Sequence, residues 1–268
     1  MASALVLAPL AIFVVFVGGW PFVLFWCLAA IGVYWEWTVE IVKAPLSAEI
    51  VGVGVLAIAG VLGAAGFPGA ALLVIVAGAA VLVAFTQSGK LWCGAGVLYA
   101  GLVLVGPMLL RRDADTNYGV LAIFFLFAVV WATDIFALCA GRAIGGPRLA
   151  PRISPKKTWS GAIAGTLGAV AIGAAVAAFG SRLLHLPQTN LLAAIGLALL
   201  LSIVAQAGDL VESAVKRRFG VKDSSRIIPG HGGLMDRLDG FLAAAGVAAL
   251  LGVARGGLDG AGGGLLAW

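Results

Sequence analysis

Charged side chains are scarce in this chain. Of 268 residues only 11% are Asp, Glu, Lys or Arg, against 62% hydrophobic, and the mean hydropathy is +1.10. A water-soluble globule is excluded, because such a composition cannot supply a wettable surface. Histidine (two residues) and cysteine (Cys27, Cys93 and Cys139) are too few and too scattered for a zinc or disulfide framework. The three cysteines lie in or beside apolar runs and read as reduced packing residues. There is no Walker A loop, low-complexity tail, long linker or soluble domain. Gly52-x-Gly54 sits inside an apolar run, without the strand–turn–helix setting of a dinucleotide fingerprint. A membrane barrel would show short alternating segments, and none occur.

What the chain does have is a series of apolar runs long enough to cross a bilayer as helices, about 17–25 residues each. The expected fold is all-α, a polytopic integral membrane protein. Spans are placed at 4–19, 20–36, 49–64, 67–85, 91–110, 118–139, 160–180, 188–208 and 234–254, nine helices in all. Only Gly18-Gly19-Trp20-Pro21 separates the first two runs, so one bent element, and hence eight spans, is the alternative. The first run lacks a basic flank and a cleavage site, and is read as a retained span. Small-xxx-small patterns such as Gly161-Ala-Ile-Ala-Gly165 suit close helix approach in lipid.

With nine spans, the even-numbered loops collect Lys43, Lys90, Arg142, Arg148, Arg152, Lys156, Lys157, Lys216, Arg217, Arg218, Lys222 and Arg226. The opposite side holds Arg111, Arg112, Arg182 and Arg255. The positive-inside rule makes the crowded side cytoplasmic, with the N-terminus inside and Trp268 outside. The net charge of +5 is then a property of loops rather than a sign of nucleic-acid binding.

Two of those loops carry chemistry. In Ala150 to Gly161, Ser154 followed by Pro155 reads as an N-cap and first-turn proline, which starts the seventh helix there and puts Lys156 and Lys157 in its first turn. Cations are disfavoured at that end of a helix unless an anion is held there. A phosphate site and a pair of lysines meeting anionic lipid heads both fit. In the second region, Asp209, Glu212, Ser213 and Lys216 fall at i, i+3, i+4 and i+7, one polar stripe where the eighth span leaves the membrane. Pro229-Gly230-His231-Gly232-Gly233 then makes a sharp turn, and Asp236, Arg237 and Asp239 open the ninth span.

Clustered carboxylates near hydrocarbon need a compensating cation. An ion-pair network using Arg217 and Arg237 is one solution, and a divalent metal is the other. Hard oxygen donors without histidine or cysteine favour Mg²⁺, which keeps waters and is usually shared with substrate phosphates. His231 reads equally as an acid–base group, a turn hydrogen bonder or a phosphate ligand. Intramembrane Asp134 is a functional candidate as readily as a cap or an ion-pair partner, and His185 reads as structural.

Ser213 to Gly240, SAVKRRFGVKDSSRIIPGHGGLMDRLDG, resembles the signature of the phosphatidate cytidylyltransferases (CDP-diacylglycerol synthases). Gln206 to Ser213 and Thr133 to Trp159 resemble further family segments, so the match covers roughly 133–240. The resemblance implies a membrane enzyme of the cell inner membrane with its active site on the cytoplasmic face. Its substrates would be CTP and phosphatidate, its products CDP-diacylglycerol and diphosphate, its cofactor Mg²⁺ with K⁺ as a candidate second ion, and a homodimer a candidate assembly.

It implies one membrane domain over 1–268, with an apolar N-terminal region over 1–130 and a catalytic region over 131–254. Asp209, Asp236 and Asp239 become candidate metal ligands, and Asp209, Asp236, Lys216, Lys222 and His231 candidate catalytic residues. Ser154, Lys156, Lys157, Thr158, Ser213, Arg217, Gly232, Gly233 and Arg237 become candidate substrate-binding residues. One departure stands out: the family pattern has Glu where this chain has Ser160. The implied chemistry is in-line attack by a phosphatidate oxygen on the α-phosphorus of CTP. A membrane kinase for a polyprenol-type alcohol would need the same metal and phosphate chemistry and is the alternative. An anion transporter fits less well, because the charges gather at one face rather than at the bilayer midplane.

Overall fold

The computed structural model describes residues 2–86, 89–112, 117–225, 227 and 232–268. It is helical almost throughout, and among the described residues eight helices are long and apolar enough to cross a membrane. They are α2 (Gly19–Trp35, prolonged by a π-helical segment Glu36–Val42), α3 (Leu46–Ala64), α4 (Pro68–Phe85), α5 (Lys90–Arg111), α6 (Tyr118–Ala143), α7 (Trp159–Leu183), α8 (Leu191–Arg218) and α9 (Met235–Gly256). Preceding them is α1 (Ala2–Val17), shorter at 16 residues, and a short α10 (Ala261–Leu266) follows. The chain breaks between α1 and α2 at Gly18, so the two apolar runs are separate helices rather than one bent element.

Two compact units are present. One comprises Met1–Met108 with Arg218–Leu238, the other Leu109–Arg217 with Asp239–Trp268. In the first, α2 packs on α1 and α3, and α3 on α4. Trp37 in the π segment donates its Nε1–H to the Trp92 carbonyl at 2.8 Å, tying the end of the α2 span to α5. In the second, α6 lies along α7 and contacts α10. The glycines of the small-xxx-small pattern permit that approach. A Cβ at Gly161 would stand 2.7 Å from the Ala137 carbonyl oxygen, and one at Gly165 2.7 Å from that of Thr133. Polar side chains join the same helices to α8: Thr133 donates to Ser202 at 2.8 Å and Gln206 to Thr166 at 2.9 Å. Within hydrocarbon such bonds add specificity to a packing that has little hydrophobic driving force of its own.

Between α6 and α7 the chain forms a small antiparallel hairpin, β1 (Arg148–Ala150) and β2 (Ser154–Thr158), pairing Arg148 with Thr158 and Ala150 with Ser154. This corrects the expected helix start. Ser154 and Pro155 open a strand, and α7 begins at Trp159 with Thr158 as its N-cap. The Thr158 backbone is extended (φ −121°, ψ 155°), and its Oγ1 accepts from the Gly161 N–H at 3.2 Å. Proline is tolerated in a two-stranded hairpin, where one side of each strand has no partner. Lys156 and Lys157 are therefore on extended backbone, where successive side chains point to opposite faces.

Replacing Gly165 by Leu is expected to push α7 off α6. Overpacking of this kind costs about 1–3 kcal/mol, so the variant should melt several degrees below the parent in detergent. An unchanged melting temperature would show that the two helices are not seated there.

Candidate functional site

The polar stripe at the end of α8 forms as its spacing requires. Asp209, Glu212 and, from α9, Asp239 bring one carboxylate oxygen each to within 4.8 Å of one another. The two helices can approach because small residues face each other. A Cβ at Gly208 would lie 2.5 Å from that of Ala243, and one at Gly240 3.0 Å from the Ala205 carbonyl oxygen. Three carboxylates at this separation repel one another strongly in a poorly solvated site.

Two lysines answer them. Lys157, from β2, bonds the Asp209 carboxylate, and Lys216, one turn beyond Glu212 on α8, stands 3.1 Å from it. Glu212 and Lys216 are buried, whereas Asp209 and Lys157 are partly open. Ser213 donates to Asp209 at 3.4 Å, and the Gly240 N–H to Asp239 at 2.6 Å. Beside this cluster lies a cavity of about 610 Å³ whose wall includes Asp134, Arg142, Arg148, Lys156, Lys157 and Asp209. Ser154 and Thr158 also line it. Its size is that of a small-molecule site, and basic side chains at one end suit phosphate.

Asp236 has a different set of partners. It accepts from the Gly233 N–H at 2.8 Å, the Ser224 N–H at 3.0 Å and the Ser224 hydroxyl at 2.9 Å. Next to it is a residue that the sequence reading passed over, Glu36. This side chain is fully buried in the π segment. Its carboxylate accepts the N–H groups of Leu234 and Met235 at 2.7 Å each, and the hydroxyls of Ser225 at 2.6 Å and Ser224 at 3.0 Å. The amides at the start of α9 have no partner within the helix, and their dipole favours an anion. Glu36 takes those of Leu234 and Met235, Asp236 takes the Gly233 N–H just before the helix, and both hold Ser224 against the helix start.

Gly233 is fixed by the same contacts, since a Cβ there would stand 1.9 Å from Ser224 Oγ and 2.7 Å from both Glu36 oxygens. Gly232 has φ 82°, which favours glycine. The available signal for Glu36 was its charge in an apolar segment, between Trp35 and Trp37. Glu212 was visible in the stripe, but no metal role was assigned to it.

Lys222 and Arg237 are exposed, and exposed Arg217 donates to the Ile153 carbonyl at 3.4 Å. Arg218 lies over the Trp92 ring at 5.4 Å. Ser160, where the family pattern has Glu, bonds the Gly145 carbonyl at 2.5 Å and Thr158 Oγ1 at 3.0 Å. His231 lies outside the described residues.

A family profile described as Cytidylyltransferase family matches residues 1–254. The phosphatidate cytidylyltransferase of Brucella abortus biovar 1 (strain 9-941) is 45% identical over 261 residues, covering 93% of this chain and 91% of the relative. That of Haemophilus influenzae is 35% identical over 173 residues, 61% of this chain and 60% of the relative. That of Rickettsia bellii is 42% identical over 121 residues, 45% and 52% of the two chains.

Glu36→Gln replaces an acceptor pair by one acceptor and one donor, so one of the two backbone N–H groups loses its partner while the serine hydroxyl beside it can turn to accept. Each buried group so stranded costs about 1–3 kcal/mol. The expected outcome is about tenfold faster tryptic cleavage within 218–238 in detergent, read by gel. A cleavage rate equal to the parent's would remove Glu36 as the anchor of that segment.

Proposed function

The chain belongs to the cytidylyltransferase family, and from that premise we propose that it converts CTP and phosphatidate into CDP-diacylglycerol and diphosphate. It is a nucleotidyltransferase embedded in the membrane. The observation that carries the substrate assignment is the 45% identity to a phosphatidate cytidylyltransferase over 93% of the chain. The carboxylate cluster beside a basic cavity is consistent with it.

In this reaction a non-bridging oxygen of the phosphatidate monoester attacks the α-phosphorus of CTP. The new P–O bond forms as the bond to the β-phosphate bridging oxygen breaks, and that oxygen leaves on diphosphate. The nucleophile is already ionised, so positioning and charge neutralisation provide the catalysis. Asp209, Glu212 and Asp239 offer only hard oxygen donors, a set that fits Mg²⁺, whereas Asp236, expected as a ligand, belongs to the other unit and accepts from Ser224 and Gly233. Bound there, Mg²⁺ would supply Lewis-acid neutralisation of phosphate oxygens.

The chain's own groups do the rest. Lys157 and Lys216 hold the carboxylates close together despite their repulsion, and are the nearest cations to any phosphate placed beside them. The hydroxyls of Ser154 and Thr158, which line the cavity, and of Ser213 beside Asp209 orient the phosphate oxygens. From the distribution of basic loops we assign this site to the cytoplasmic face; residence in the cell inner membrane is what the family resemblance implies.

Purified protein in neutral detergent, given CTP, phosphatidate and Mg²⁺, should yield CDP-diacylglycerol and diphosphate. Release of a nucleoside diphosphate instead would identify a kinase. Excess chelator should abolish turnover and Mg²⁺ restore it. Asp209→Asn should lower kcat by at least about 10²-fold, as expected when a charge-stabilising element is removed, and near-parental turnover would take Asp209 out of the site. For orientation, a cysteine in place of Asp223 should resist an impermeant maleimide in intact cells and react once they are opened. Labelling of intact cells would invert the assigned topology.

A further inference from the structure

The hairpin that brings Lys157 to Asp209 is small. It pairs Arg148 with Thr158 and Ala150 with Ser154, with an irregularity between the two pairs. A two-stranded hairpin of this length is marginal by itself. At its tip the Ile153 carbonyl receives the Arg217 Nε–H at 3.4 Å, a long bond from an exposed side chain. The base is joined to the helices more closely. The Trp159 N–H donates to the Pro147 carbonyl at 3.1 Å. Buried Thr158 seats its Oγ1 against Gly141 of α6 and Gly161 of α7, where a Cβ on either would stand 3.1 Å from it.

Ser160 completes that base. Its hydroxyl donates to the Gly145 carbonyl at 2.5 Å and lies 3.0 Å from Thr158 Oγ1, which accepts from the Gly161 N–H at 3.2 Å. A carbonyl can only accept, so the single Ser160 proton is committed to Gly145. The Thr158 proton therefore points to Ser160, and it is the one member of the chain able to turn to a phosphate oxygen. The carbonyl held in this way belongs to Gly145-Gly146, which have φ 66° and 99° and open space where a Cβ would be. Glycines that serve backbone freedom rather than clearance make a loose joint, and Ser160 fastens it. A carboxylate at this position, as in the family pattern, has no proton for a carbonyl, so the fastening is particular to Ser160.

We infer that Ser160 is a positioning residue for the reaction and acts through Lys157. Ser160 does not line the cavity, whereas Lys157 does. By fixing the joint where the chain leaves α6, its hydroxyl holds β2 beside the acidic cluster, so that Lys157 stands at both Asp209 and the cavity. Without that bond the lysine samples a wider range of positions, and it is in place for the phosphate a smaller fraction of the time. The inference rests on the reaction proposed above.

The test is a double-mutant cycle on turnover in neutral micelles with CTP, phosphatidate and Mg²⁺. Ser160→Ala should lower kcat about fivefold, the factor of one ordinary hydrogen bond, and leave both substrate KM values near the parent's. Ser160→Thr, which keeps the hydroxyl, should recover the parental rate. Lys157→Met should cost about 10²-fold, and adding Ser160→Ala to it should cost nothing further. Equal losses from Ser160→Ala in both backgrounds would show that Ser160 does not act through Lys157. A parental rate for Ser160→Ala, a Thr variant as slow as the Ala variant, or a raised KM with kcat unmoved would each overturn the positioning role.

Should the double variant fail to fold, hydrogen exchange on the parent and Ser160→Ala provides a second measurement. Amides of 145–158 should exchange about fivefold faster in the variant, matching the loss of one bond, while those of 161–180 keep parental rates. Unchanged exchange over 145–158, or acceleration along α7 as well, would overturn the fastening. A parent that makes no CDP-diacylglycerol overturns the proposed reaction and this assignment with it, whereas parental turnover with equal losses in both backgrounds overturns the assignment alone.

Discussion

Asp209, Glu212 and Asp239 are held within a few ångströms of one another at the end of two apolar helices, and the acidic centre depends on how that repulsion is balanced. In water the cost would be small, but in a poorly solvated helix bundle it is not. Lys157 reaches Asp209 from a hairpin preceding α7, and Lys216 reaches Glu212 from the same helix. The hairpin therefore does more than connect two spans, since it delivers a cation to a carboxylate 52 positions away in the chain. It also leaves that cation at the edge of a cavity, where an incoming phosphate can share it.

The same rule operates in the other unit with the signs exchanged. There the unmatched groups are the partial positive charges at the start of α9, and the matching anion is Glu36, supported by Asp236. A fully buried carboxylate receiving two backbone N–H groups and the Ser225 hydroxyl, and sharing the single Ser224 proton with Asp236, is a stable arrangement, because bonds to a charged acceptor contribute about 1.5–3 kcal/mol each. The π-helical turn that carries Glu36 belongs with this role, since such turns break the regular helix frequently at functional sites. The serine pair after Lys222-Asp223 and Gly233 are then explained by one contact set. They are the donors and the clearance that Glu36 requires.

By itself the sequence determined the helical spans, because each apolar run must pair its own backbone in lipid and so writes its length directly into composition. It also determined the α8 stripe, since i, i+3 and i+7 positions share a face whatever surrounds them. The small-xxx-small reading of Gly161 and Gly165 held for the same local reason, while the Ser154-Pro155 helix start did not. A cap there and a strand there use the same residues, and only the pairing of Arg148 with Thr158 decided between them. The tertiary structure alone decided that Glu212 joins Asp209 and Asp239, that Lys157 compensates Asp209, and that Glu36 anchors a helix 199 positions downstream. Contacts at such separations leave no periodicity in the chain. Their only trace is a charge in an apolar setting, which reveals that a partner is needed but not which partner the fold will bring.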